Sequence, residues 1–151
     1  MDKLNIVSEV SLLYKSKVKP SEREKITCAK DAYKVFKSIE HFNQNLELYE
    51  CFYAMYLNKN NKILSVMLIS EGGTAGTVVD VKKILAPAIL QNASSIIVCH
   101  NHPSGNTTPS DQDKSITQRI KSGGLLLDCI LIDHLIITSE NYYSFADENI
   151  L

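Results

Sequence analysis

His100-Asn101-His102-Pro103-Ser104-Gly105-Asn106-Thr107-Thr108-Pro109-Ser110-Asp111-Gln112-Asp113 is the stretch on which the reading of this chain turns. It follows Ser94 to Cys99, a short run with a wholly apolar second half that reads as a strand. In extended backbone, residues two apart point to the same side, so the imidazoles of His100 and His102 can reach one point. Two prolines and a glycine then bend the chain. A helix is expected from about Ser110 to Ser122, ended by Gly123 and Gly124. Asp113 falls in its first turn, where a carboxylate can point back toward the strand end. Two histidines and one aspartate, with a fourth position left for water, make an open catalytic zinc site. Imidazole and carboxylate ligands make zinc the expected metal.

The same residues carry plainer roles. Ser110-x-x-Asp113 fits a capping box, with a serine N-cap and an acid three residues on. The roles are compatible, because one carboxylate oxygen can face a metal while the other serves the cap. A hydrolytic zinc site also needs a group that takes a proton from water and passes it to the leaving group. Glu50 is the candidate, being the charged residue in the otherwise apolar run Leu48 to Leu57. Glu71, next to Gly72, is the rival and reads more as a turn residue. The Ser110 hydroxyl can cap the helix or donate to an oxyanion, and spacing does not decide between them. Asp133 and His134 follow an apolar strand and read as support rather than as ligands.

Around this centre, helices and strands alternate, which gives an α/β or α+β class with a mixed sheet. Val7 to Tyr14 reads as a strand, and Val18 to Ile26 as a connector. Thr27 is expected to cap a helix running to about Phe42, with Ala32, Phe36 and Ile39 on one face and Asn43 to Asn45 breaking it. Leu48 to Leu57 and Ile63 to Ile69, joined by the polar Asn58-Lys59-Asn60-Asn61-Lys62, form a hairpin signal. Gly72, Gly73 and Gly76 lead to a third short strand at Thr77 to Val79. Asp80 opens a helical pattern that Pro87 kinks, or that begins only near Ala86. Leu125 to Thr138 holds two apolar stretches around Asp133-His134, and Tyr142 to Phe145 adds an edge strand.

Bulk properties narrow the function classes. A length of 151 residues suits one core. A hydrophobic share of 44% with 22% charged residues excludes wholesale disorder. No apolar run approaches the ~20 residues of a membrane helix. The N-terminus is a poor signal peptide. A net charge of −1 does not support nucleic-acid binding through global charge, and Lys15, Lys17, Lys19, Arg23 and Lys25 read as a solvated segment. Cys28, Cys51, Cys99 and Cys129 form no C-x-x-C pair and read as reduced structural cysteines of a cytoplasmic protein.

His100-x-His102 with Ser110-x-x-Asp113 and an upstream Glu50 resembles the JAMM motif of JAB/MPN metallopeptidases. The string HNHPSGNTTPSDQD is similar to the RadC branch of that superfamily, long labelled as DNA-repair proteins. So are Glu50-Cys51-Phe52 opening a strand, ILAPAILQNA from Ile84 to Ala93, Asp133-His134 and Tyr143-Ser144-Phe145. The resemblance runs from Thr27 to Leu151, which divides the chain into residues 1–26, a strand and connector packing on the domain, and a RadC-like domain at 27–151. It implies a cytidine-deaminase-like curved mixed sheet flanked by helices. It also implies His100, His102 and Asp113 as zinc ligands, Glu50 as the base and Ser110 as oxyanion support. Longer relatives of this kind carry an N-terminal helix-hairpin-helix region, and about 26 residues are too few for one, so a stand-alone JAB domain is expected.

The expected function is therefore zinc-dependent hydrolysis of a peptide or isopeptide bond in a peptide or protein substrate. The alternatives are a nucleic-acid accessory protein in repair or mobile-element biology, and an inactive scaffold. A deaminase is remote, because the H-x-E and P-C-x-x-C elements are missing from the sequence.

Overall fold

The computed structural model describes residues 11–73 and 77–151. Helices α1 (Ala29–Ser38) and α2 (Glu40–Asn45) precede strands β1 (Glu50–Leu57) and β2 (Ile63–Gly72). Then come α3 (Val81–Leu90), β3 (Ser95–Asn101), α4 (Asp111–Leu126), β4 (Ile130–Ile137) and β5 (Tyr142–Ser144). One five-stranded sheet has the order β2-β1-β3-β4-β5. β3 and β4 run parallel through the α4 crossover, and the other neighbours are antiparallel. This is the mixed sheet that alternating elements demand, and its arrangement fits a JAB/MPN fold. None of the described helices is long and apolar enough to cross a membrane.

Strands β1 and β3 are covered on both faces, so they read as continuous apolar runs. Along β1, Cys51, Tyr53, Met55 and Leu57 join Phe36 and Phe42 in a core beneath α1 and α2. Phe52, Ala54 and Tyr56 join Ile84 and Ile120 in a second core beneath α3 and α4. His100 on β3 pairs with Phe52 and shares that second face. The hairpin turn is held by Asn58, whose side-chain oxygen accepts from the N–H groups of Asn60 and Lys62 at 2.9 and 3.0 Å. Asn61 takes the left-handed conformation there, with φ 56°. The connector lies along this hairpin. Lys25 bridges Lys62, and the Tyr14 hydroxyl donates to the Leu64 carbonyl.

Several local expectations are corrected. The helix expected from Thr27 to Phe42 is two helices, because Ile39 leaves the helical region at ψ 111° and caps both. The second then continues through Asn43 to Asn45 rather than ending at them. α3 begins at Val81, capped by the Asp80 carboxylate on the Lys82 N–H, and carries Pro87 inside it. Thr77 to Val79 is not a strand. Val78 is exposed, and this segment borders a cleft instead of joining the sheet. Ser11 to Tyr14 holds no regular structure, and Val7 to Val10, like Gly76, lies outside the described residues.

α4 passes through both glycines expected to end it. A Cβ on Gly124 would sit 2.3 Å from the Cys129 carbonyl oxygen, and the Cys129 N–H donates to the Gly124 carbonyl at 2.9 Å. The glycine lets backbone meet backbone where α4 turns into β4. A Cβ on Gly123 would press only on the movable end of Leu85, with Val81 in ordinary contact. Alanine favours a helix over glycine by about 1 kcal/mol, but a backbone clash is harder to relieve. Gly124→Ala is therefore expected to destabilise the fold by about 1–3 kcal/mol, and Gly123→Ala by less. Urea denaturation checks this, and equal stability of Gly124→Ala and wild type would refute it.

Candidate metal centre

β3 carries His100 as its penultimate residue, and the chain stays extended just long enough to bring His102 alongside. The His102 N–H still donates to Ile137 of β4 at 3.1 Å. Gly105, at φ 79°, turns the loop, and the Gly105 N–H closes onto the His102 carbonyl. α4 then starts with a full capping box. The Ser110 hydroxyl accepts from the Asp113 N–H, while the Asp113 carboxylate accepts from the Ser110 N–H at 2.7 Å. The cap fixes the carboxylate facing the strand end. His100 Nε2 and His102 Nε2 lie 2.9 Å apart. Asp113 Oδ1 is 3.1 Å from the first and Oδ2 3.5 Å from the second.

Proton bookkeeping shows what these atoms offer. The Asn106 carbonyl can only accept, so His102 Nδ1, 2.6 Å away, carries the proton and its Nε2 presents a lone pair. A longer chain fixes His100. The Asp113 carbonyl accepts from the Thr117 hydroxyl at 2.6 Å. Thr117 must then accept from His134 Nδ1 at 2.6 Å. That leaves His134 Nε2 bare, so it accepts from His100 Nδ1 at 2.8 Å. His100 Nε2 is left with a lone pair. Burial holds His134 well below its ordinary pKa, so it serves as a neutral link. Two bare imidazole nitrogens and a carboxylate therefore face one point with no proton to share. That donor set repels itself without a cation and fits a zinc ion with an open position.

With no ion present, protons are drawn to the same point. Burial alone would lower His102, but the Asp113 carboxylate and the Asn106 carbonyl raise it. Burial alone would raise Asp113, but a proton carried toward it by the facing imidazoles of His100 and His102, together with the Ser110 hydroxyl, holds it far below the carboxylate range. Glu50, first residue of β1 and half-buried, is pushed up by burial against the pull of His100 and His102. Ser110 Oγ donates to Asp113 Oδ2 at 2.7 Å, so its one proton is engaged within the cap.

A cleft of about 370 Å³ opens on this centre, lined by Glu50, His100, His102, Ser110 and Asp113 together. Phe52 and Ile116 give it an apolar wall, and Arg119 a cation. Arg119 makes no ion pair among the described residues. Glu71 lies elsewhere. It belongs to β2 and pairs with His41 at 3.2 Å.

Sequence reasoning missed Thr117, which completes the chain behind His100, and Asn101. Asn101 Oδ1 accepts from the Cys51 N–H at 2.7 Å, and its amide donates to the Leu46 and Tyr49 carbonyls. It thereby pins the start of β1, where Glu50 sits. Its signal was a polar residue placed between two histidines and directed at the opposite, buried face. Asp133 accepts from the His134 N–H, the Ala146 N–H and the Ser144 hydroxyl, and so clamps β4 to β5.

Comparison with known proteins identifies the family. A family model described as the RadC-like JAB domain matches residues 26–150. A UPF0758 protein of Flavobacterium johnsoniae is 45% identical over 128 residues, 84% of this chain and 54% of the relative. A UPF0758 protein of Porphyromonas gingivalis is 42% identical over 85% of this chain and 56% of its own length. The UPF0758 protein YfjY of Escherichia coli is 39% identical over 68% of this chain and 64% of its own. The chain thus spans about half to two thirds of the length of these curated relatives.

Proposed function

The chain belongs to the RadC-like JAB domain family, and from that premise we propose that it is a zinc-dependent hydrolase of peptide or isopeptide bonds. The supporting observation is the convergence of His100 Nε2, His102 Nε2 and the Asp113 carboxylate on one point of a cleft that Glu50 also lines. His100, His102 and Asp113 would hold the ion, which supplies Lewis-acid charge and lowers the pKa of water toward ~7. Glu50 accepts the proton of the attacking water at its carboxylate and returns it to the departing amine. Burial helps, because a carboxylate with a raised pKa is a better proton acceptor. Ser110 keeps Asp113 oriented, and its hydroxyl reaches an oxyanion only by turning away from Oδ2. Phe52 and Ile116 exclude water from one wall, and Arg119 suits a substrate with a carboxylate near the scissile bond.

Zinc analysis of wild-type and His102→Ala protein, with hydrolysis assays on peptide and isopeptide libraries, tests this. Wild type is expected to cleave, and His102→Ala to lose both the zinc held here and the cleavage. Zinc-saturated wild type that cleaves no library member overturns the hydrolase reading. Unchanged zinc content in His102→Ala overturns the metal site.

A further inference from the structure

On the other face of the sheet a second set of metal-binding groups meets. Cys51 of β1 and Glu71 of β2 are directly paired across the two strands, so their side chains rise from the same face. His41 of α2 leans over them, with Nε2 3.2 Å from the Glu71 carboxylate. The ligand atoms of all three lie within 4.8 Å of one another. The Cys51 thiol is buried at the floor, while His41 and Glu71 are half open to solvent at the rim. The His41 ring is held from behind, with Nδ1 2.9 Å from the Tyr53 hydroxyl. Metal-binding histidines are held in this way, by a partner on the other ring nitrogen that sets tautomer and ring angle. Phe42, next to His41, anchors α2 against Tyr53 edge-to-face.

We propose that His41, Cys51 and Glu71 form a second divalent-metal site, for zinc or a similar borderline-soft ion. The donor set is one thiolate, one imidazole and one carboxylate. A nitrogen–oxygen separation of 3.2 Å is close to the edge of a tetrahedron built from bonds of about 2.0–2.2 Å. Sulfur, with its longer bond of about 2.3 Å, suits the deeper position. Solvent at the rim leaves the fourth position to water. Binding removes the thiol proton to solvent and moves the remaining imidazole proton to Nδ1, from which it donates to the Tyr53 oxygen. The ion ties α2 to the β1–β2 hairpin, which no salt bridge between lysine or arginine and an acid does among the described residues. This site is independent of the proposed hydrolase centre. Glu50 and Cys51 are adjacent in sequence but point to opposite faces of the sheet.

Cobalt(II) titration of the whole metal-free chain separates the two sites, because the centre at His100, His102 and Asp113 contains no sulfur. Wild type is expected to develop a near-ultraviolet thiolate-to-cobalt charge-transfer band together with a second equivalent of bound cobalt. His102→Ala and Cys28→Ser are expected to keep the band. Cys51→Ser is expected to lose it, and so are His41→Ala and Glu71→Ala, whose exposed positions leave the fold intact. Cobalt uptake by wild type without the band overturns the proposal, as does a band that survives Cys51→Ser or His41→Ala. A band in protein that fails to cleave any substrate supports this site while removing the hydrolase reading, so the two fail separately.

Discussion

Glu50→Gln is expected to lower turnover by about 10²–10⁴-fold, the share a positioned general base contributes, while leaving the metal content unchanged. The substitution keeps the shape and the hydrogen-bonding capacity but removes the ability to take a proton. Glu50 is the carboxylate of the cleft that is not committed to the imidazoles. Asp113 is committed to the point it shares with His100 and His102 and to the Ser110 hydroxyl, where its charged form is favoured, and this makes it a poor base. Glu50 has the opposite environment, with burial raising its proton affinity. Two carboxylates on one cleft are thus driven apart in basicity, which is the division that the proposed roles of metal ligand and proton acceptor require. Turnover per bound zinc is the decisive quantity. If Glu50→Gln stays within about threefold of wild type with zinc retained, the base is some other group.

His134→Leu is expected to weaken zinc binding by about 10–100-fold, the usual effect of removing a partner behind a ligating histidine. Leucine leaves His100 Nδ1 and Thr117 Oγ1 without their buried partner, and His100 loses the bond that keeps its proton off Nε2. His134 also stacks on Phe145 at 4.7 Å and meets Phe52 edge-on, so a purely packing role must be separated from a proton-ordering one. His134→Gln separates them, because its amide oxygen can accept from His100 and leucine cannot. Competition with a zinc chelator is expected to rank affinities wild type, Gln, Leu. Equal affinity of Leu and wild type, with both folded by circular dichroism, would reduce His134 to a core residue.

Strand, loop and helix around His100 to Asp113 were legible because every signal there is local. An apolar run, two prolines, a glycine and an S-x-x-D cap lie within some twenty residues, so geometry could be read without the fold. Other features depended on distant partners. Gly123 and Gly124 look like a stop signal, yet they lie inside the last turn of α4, where Leu85 and Cys129 leave little room for a Cβ. Ile39 belongs to the apolar stripe of α1 but lies at the point where the chain must turn to cover the sheet, and so it divides one expected helix into two. The support behind His100 was half visible. Asp133-His134 stood out as polar residues in a strand, but Thr117 is 17 residues away and looks like any helical threonine. Glu71 was read as a turn residue because a neighbouring glycine outweighed a strand that continues to Gly72. Its partner His41 carries no motif, and the pairing needs the β1–β2 register to be known.

Strict alternation along β1 makes the chemistry of this chain sensitive to parity. Inserting a single residue between Cys51 and Leu57 would turn the outer end of the strand over. The proton acceptor would then be delivered to the layer under α2, and the thiol to the cleft. Insertions in the Asn58–Lys62 turn leave that phase untouched, since the strand's pairing with β3 maintains it. Loop grafting is therefore best aimed at the turn, whereas a frame change of one residue within the strand would exchange the two chemistries between faces and silence both.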